Sequence, residues 1–215
     1  MSTLRHDLMK KLYGADVWKG FTARPVDAAV QGWNGDHPSL ARLAASPGQK
    51  IVADVGVWKG QSTINMAKAM QNNGIDGVVI AIDTFLGSPE HWDADVKLFT
   101  REHGLPDLYW TFMSNVVAAG LTDYVIPLPQ TSTTAAQVLK QADIALDIVH
   151  VDAAHEYREV LQDAVDYWPL VKNGGYIIGD DYHITWPGVV RAAGEFSAQV
   201  CRPLTVEPPK WILQK

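Results

Sequence analysis

The chain has 215 residues and one cysteine, Cys201. That length can bury a full core without covalent staples, no internal disulfide is possible, and a single reduced, intracellular domain is the simplest expectation. A formal net charge of −6 argues against a nucleic-acid partner, because binding a phosphate backbone relies on clustered Lys and Arg, and favours a small-molecule substrate. No apolar run reaches signal-peptide or bilayer length, so a soluble, cytoplasmic protein without a membrane partner is expected.

In chain order, residues 1–47 begin with a helix-like segment and then carry "GWNGDHPSLARLAASPGQ", whose latter half reads as a covering helix. They are expected to form a helical cap or lid on a globular domain spanning 48–215. Short β-branched runs follow at "KIVADVGV" (50–57), "GVVIAIDTF" (77–85), "DYVIPLPQ" (123–130), "LDIVHVDA" (146–153) and "GGYIIGDD" (174–181). Strands alternating with helical patterns predict an α/β fold, a mostly parallel sheet with helices on both faces.

The clearest helix follows the "LDIVHVDA" run. Tyr157, Val160, Leu161, Ala164, Val165 and Trp168 recur at helical spacing, opposite Glu156, Arg158, Glu159, Gln162, Asp163 and Asp166, and Asn173-Gly174-Gly175 is expected to end it. The C-terminal "PLTVEPPKWILQK" reads as an antiparallel hairpin around a Pro-Pro turn. Val-Trp-Lys-Gly occurs at 17–20 and again at 57–60. The contexts differ, so no internal repeat is inferred.

The loop "ADVGVWKGQST" comes after the first strand, where an open parallel sheet binds ligands. Gly56 and Gly60 would let the backbone approach a ligand, and Ser62 or Thr63 could cap the next helix. The spacing is Gly-x-x-x-Gly, without the middle glycine of dinucleotide sites. Asp83, ending the second strand, is placed to accept hydrogen bonds from a ribose diol. Together these suggest a nucleoside ligand.

"ADVGVWKGQS", "AIDTF", "VHVDAAHEY" and "GGYIIGDDY", in that order, resemble the successive motifs of class I S-adenosylmethionine-dependent methyltransferases. More narrowly, they resemble the metal-dependent O-methyltransferases of the macrocin-type branch, methyltransferase family 24; "GWNGDHP" is also similar to a segment of this branch. The resemblance implies a Rossmann-like class I methyltransferase sandwich ending in the antiparallel hairpin. It implies that Asp54, Gly56, Gly60 and Ser62 hold the methionine end of S-adenosyl-L-methionine, that Asp83 binds the ribose, and that Thr84 and Phe85 flank the adenosine. Gln130 and Thr131, in "PQTS", stand where the family contacts adenine, although an acidic residue is more usual at Thr131. Asp152, also near the cofactor, would bind one divalent cation with Asp180 and Asp181.

Three carboxylates without cysteine form a hard oxygen site, which suits Mg2+. Three unpaired carboxylates on one rim would also repel each other, which a cation relieves. Alternatively, Asp152 only caps the helix starting near His155. His155, three residues after Asp152, stands where the branch often has histidine and the catechol type a lysine base, and imidazole titrates near neutrality. His150 reads as a buried, hydrogen-bonded core histidine, and His183 as a supporting or substrate-contacting group.

The implied activity is metal-dependent O-methylation of a hydroxyl on a sugar, natural product or aromatic ring. Trp18, Phe21, Trp33, "LGSPEHWDAD" and "YHITWPG" are the expected acceptor pocket. Three alternatives stay open here: a nicotinamide-dependent oxidoreductase, a non-catalytic nucleoside-binding protein, and a metal-dependent hydrolase, although His155-Glu156 lacks the second histidine of a zinc-protease helix. A homodimer is the default oligomer.

Overall fold

A computed structural model describes residues 3–25, 32–48, 50–93 and 98–215. The elements in order are α1 (Thr3–Tyr13), α2 (Pro38–Ala44), β1 (Ile51–Val55), α3 (Gln61–Asn72), β2 (Val78–Asp83), a 3-10 turn (Pro89–Trp92), β3 (Arg101–Glu102), β4 (Leu105–Pro106), α4 (Leu108–Ala118), β5 (Val125–Pro129), α5 (Ser132–Gln141), β6 (Leu146–Val151), α6 (Tyr157–Tyr167), a second 3-10 turn (Trp168–Leu170), β7 (Val171–Gly179), α7 (Pro187–Gln199), β8 (Thr205–Glu207) and β9 (Lys210–Gln214). One seven-stranded sheet runs β5-β2-β1-β6-β7-β9-β8. Its first five strands are parallel, and the β8–β9 hairpin joins β7 antiparallel. β3 and β4 form a separate small hairpin.

The central strands are buried along almost their whole length because both faces are covered. Side chains alternate between two cores, as strand geometry requires. Ile51, Ala53 and Val55 of β1 face the layer built from α1, α5, α6 and α7, whereas Val52 faces α2, α3 and α4. The β5 edge is blunted by donors from the N-terminal segment: Tyr13 Oη donates to Pro127 O (2.6 Å) and Trp18 Nε1 to Val125 O (2.9 Å).

The structure corrects the reading of α6. The helix ends at Tyr167 and continues as the Trp168–Leu170 turn, while Asn173-Gly174-Gly175 lies inside β7 at a register irregularity against β6. Pro169, without an N–H, ends the regular helix first. The buried face is also rotated: Val165 is 38% exposed, whereas Asp163 and Tyr167 are buried. Among the described residues no helix is long and apolar enough to cross a membrane. Cys201 is a free, exposed thiol.

Candidate active site

The parallel ladder continues past the strand ends and brings distant residues together. Gly56 N donates to Ile82 O (2.8 Å), Asp152 N to Val55 O (2.8 Å) and Asp180 N to Val151 O (3.0 Å). The tips of β1, β2, β6 and β7 therefore share one rim, bordering a cleft of about 1060 Å3. Among the expected site residues, Gly56, Ser62, Asp83, Thr84, Gln130, Asp152, His155, Asp180 and Asp181 line it.

Asp54, Gly60, Phe85 and Thr131 do not line the cleft among the described residues, and each has a structural partner instead. Asp54 is fully buried; its Oδ2 accepts from Ser62 Oγ (2.8 Å) and Thr63 Oγ1 (2.5 Å), and its Oδ1 lies 2.7 Å from His150 Nδ1. Ser62 and Thr63 thus support Asp54 from inside α3 rather than capping the helix, whose cap is Gly60. Phe85 is buried against Tyr109 and Phe112. Thr131 caps α5, accepting from Thr134 N (3.2 Å).

The close approaches at the glycines are to protein. At Gly56, with φ of +87°, a Cβ would stand 2.0 Å from Asp152 O; at Gly60, with φ of +99°, it would stand 3.0 Å from the Phe112 ring. Gly56 is required because the β1 loop passes directly against the end of β6. The upstream "GWNGDHP" forms another wall: Gly35 N donates to Gln61 Oε1 (3.1 Å), and Asn65 Nδ2 donates to Gly35 O (3.0 Å).

Asp83 is oriented by two backbone donors, Trp58 N at 2.9 Å on Oδ2 and Phe85 N at 2.7 Å on Oδ1. Burial pushes its pKa up, opposed by those N–H groups. Trp58, Phe85 and Asp181 all adopt left-handed backbone with φ between +51° and +58°. For the bulky Trp58 and Phe85 that conformation is strained, and each follows a strand tip, Trp58 after β1 and Phe85 after β2.

Under the rim is a chain of four groups. His150 is fully buried, as its reading as a core histidine anticipated, between Asp54 at Nδ1 and Lys210 Nζ at 3.1 Å from Nε2. Burial and the Lys210 ammonium lower its pKa. The ring is therefore neutral, donates from Nδ1–H to Asp54 and accepts from Lys210 at Nε2. Burial alone would raise the pKa of Asp54, but the bonds from His150, Thr63 and Ser62 outweigh it and hold the carboxylate ionised. Lys210 Nζ also lies 2.6 Å from Asp180 Oδ2, and Asp180 Oδ1 accepts from Asp181 N (2.7 Å).

The expectation of three unpaired carboxylates is thereby corrected. Asp180 is paired with Lys210, and Asp181 Oδ2 lies 2.8 Å from His155 Nε2. Asp152 does not cap α6, where Glu156 is the cap residue. Its carboxylate has no side-chain hydrogen bond or ion pair among the described residues. Burial, then the charge of Asp180, push its pKa far up. Ligand atoms of Asp152, His155 and Asp181 lie within 4.8 Å of one another.

Aromatic rings border the rest of the cleft. Trp186 stacks on His155 at 4.3 Å between centroids, and Trp33, 57% exposed, stacks on His91 at 6.1 Å beside Trp58. Trp58 Nε1 is buried without a partner. Trp18 and Phe21, expected in the pocket, pack instead against the core and each other. His183 is held by Thr185 (2.8 Å) and does not line the cleft among the described residues. Residues 94 and 95, the last two of "LGSPEHWDAD", lie outside the described residues.

This strand order, with its antiparallel last hairpin and cleft beyond the strand tips, defines a class I methyltransferase fold. The methyltransferase-domain family matches residues 53–182, and the chain belongs to that family. Solved structures agree in fold. The O-methyltransferase NovP is 21% identical with TM-score 0.65, covering 100% of this chain and 99% of that one. An O-methyltransferase from Bacillus cereus, in complex with SAH, is 17% identical with TM-score 0.57, covering 97% and 91%. TomG from Streptomyces achromogenes, an O-methyltransferase of tomaymycin synthesis in complex with SAM, is 16% identical with TM-score 0.55, covering 100% and 91%. A comparison with curated proteins finds no match.

Proposed function

We propose that this protein is an S-adenosylmethionine-dependent O-methyltransferase that acts on a hydroxyl of a small molecule and uses a divalent cation. The observation that carries the reading is the clustering of Asp152, His155 and Asp181 in the same cleft as Asp83. The residues present fit the cofactor. Asp83 is pre-oriented by two backbone N–H groups to accept from a ribose diol, Thr84 and Gln130 lie beside it for the adenosine, and the Gly56–Ser62 loop offers the N-terminal end of α3 to a carboxylate. When bound, S-adenosylmethionine supplies an electrophilic methyl group on sulfonium sulfur.

The donor set also fits a hard cation: the Asp152 and Asp181 carboxylates converge beside the His155 imidazole, and Asp152 forms no salt bridge among the described residues. A bound Mg2+ would supply Lewis acidity to an acceptor hydroxyl. His155 acts as the base. Its Nε2 lies 2.8 Å from Asp181 Oδ2 and its ring face is held on Trp186, which places the imidazole at the rim to take the acceptor proton. The Trp33, Trp58 and His91 rings offer flat apolar surface to the acceptor ring. No Lys or Arg lines the cleft among the described residues, which supports an uncharged or weakly charged small molecule over a nucleic acid.

The test is calorimetry of chelator-stripped protein with S-adenosylmethionine and S-adenosylhomocysteine, with and without Mg2+, repeated on Asp152→Ala. Binding of both adenosyl ligands, with a Mg2+ heat that Asp152→Ala abolishes, is the expected result. No adenosyl binding under either condition would sink the reading.

A further inference from the structure

Lys210 is the one fully buried ammonium under the acidic rim among the described residues, and the chemistry above gives it no task. Its place follows from register. β9 runs antiparallel to β7 with Gly179 opposite Trp211, so the next pair sets Lys210 beside Asp180. Gly179 admits this approach, since a Cβ there would stand 2.0 Å from the Trp211 ring. The turn before Lys210 is also tied to the acidic loop, because Tyr182 N donates to Pro209 O (2.7 Å). A buried ammonium is costly unless it is paired and hydrogen-bonded. Lys210 meets both conditions through Asp180 Oδ2 and His150 Nε2, and His150 is in turn anchored on Asp54.

We propose that Lys210 is the internal counter-cation of the acidic site: its ammonium occupies Asp180, leaves Asp152 and Asp181 as the carboxylate ligands for a divalent ion, and weakens that ion's binding. This rests on the proposed cation site but departs from the expected trio, in which Asp180 is a ligand. Both oxygens of Asp180 are already engaged, by Lys210 Nζ and by Asp181 N–H, whereas Asp152 has no such partner. A unit positive charge a few ångströms from a divalent ion opposes it strongly even at the effective dielectric of a protein. Lys210 is therefore a positioning residue. It balances the charge of Asp180 before a cation arrives, and keeps the cation exchangeable.

The experiment compares chelator-stripped wild type, Lys210→Met and Lys210→Gln, titrated with MnCl2 by calorimetry and by the electron paramagnetic resonance of free and bound Mn2+. Both variants should bind Mn2+ at least about tenfold more tightly. Lys210→Met combined with Asp180→Asn should lose that gain. Lys210→Gln keeps a donor for Asp180 and serves if the Met variant does not fold. A purely structural Lys210 would give instability in the Met variant, rescue by Gln, and no tighter Mn2+ binding in either, which overturns the proposal. If wild type binds no Mn2+ while the variants gain it, the counter-cation role stands and the metal-dependent reading of the wild-type site fails. If no protein binds Mn2+, both fail.

Discussion

His155 Nε2 lies 2.8 Å from Asp181 Oδ2 while Trp186 covers the imidazole face at 4.3 Å. One contact anchors Nε2 and the other the plane of the ring, and the two partners come from opposite ends of the loop between β7 and α7. His155→Ala should lower kcat by about 10²–10⁴, the usual contribution of a positioned base. S-adenosylmethionine affinity by calorimetry should stay unchanged. Equal losses in both would reassign His155 to cofactor binding.

Asp83 is the cofactor prediction. Its carboxylate is fixed by Trp58 N and Phe85 N. Asp83→Asn keeps the shape but removes the charge that strengthens hydrogen bonds from a diol. Charge-assisted bonds contribute about 1.5–3 kcal/mol, so the dissociation constant for S-adenosylhomocysteine should rise about 10- to 100-fold. An unchanged constant would mean that the ribose lies elsewhere.

Gly56 couples the loop after β1 to the acidic rim. Gly56→Ala places a Cβ on Asp152 O at 2.0 Å and imposes a side chain at φ of +87°. Backbone strain and overlap together should cost about 2–4 kcal/mol of stability, read in urea unfolding, and displace Asp152. Activity should fall even where the variant is fully folded. A folded, fully active variant would show that the loop has slack.

Much of this architecture is legible in the sequence because it depends on local pattern. β1, β2 and β6 are short runs rich in Val and Ile, buried on both faces, and their ends coincide with Gly56, Asp83 and Asp152. α4 is not legible in the same way: Ser114 and Asn115 are buried among its apolar residues, so no helical stripe contrasts with a polar face. The Asn173-Gly174-Gly175 stop misleads because glycine there serves an irregularity of β7, a matter of strand register. Lys210 is the plainest case. A lysine between Pro-Pro and an apolar strand reads as a solvated edge residue, and only the pairing of β9 with β7 reveals Asp180 as its partner. Asp163 is hidden similarly, since its partner Ser132 is 31 positions away.

Trp186 tests the acceptor side. Trp186→Ala removes the ring over His155 and part of the cleft wall. An aromatic stack contributes about 0.5–1.5 kcal/mol, so KM for a ring-bearing acceptor should rise by up to about tenfold, with a smaller fall in kcat. The reverse split, kcat falling alone, would make Trp186 a support for His155 and remove it from the acceptor pocket.

Asp163 gives the pH prediction. It is buried in α6, accepts from Ser132 Oγ at 2.5 Å, and its pKa is raised to about 6, by burial first and then by the charges of Asp166 and Glu159. The folded pKa lies above the unfolded one, so this site's stability is fully present below about pH 4 and is lost as pH rises through about 6. Above that, the ionised carboxylate costs about 3 kcal/mol. Asp163→Asn keeps an acceptor for Ser132 and removes the charge. Its melting temperature should exceed wild type at pH 8, and the advantage should shrink to nothing by about pH 4. Parallel melting curves of the two proteins across that range would show that Asp163 is ionised throughout and that its bond to Ser132 outweighs its burial.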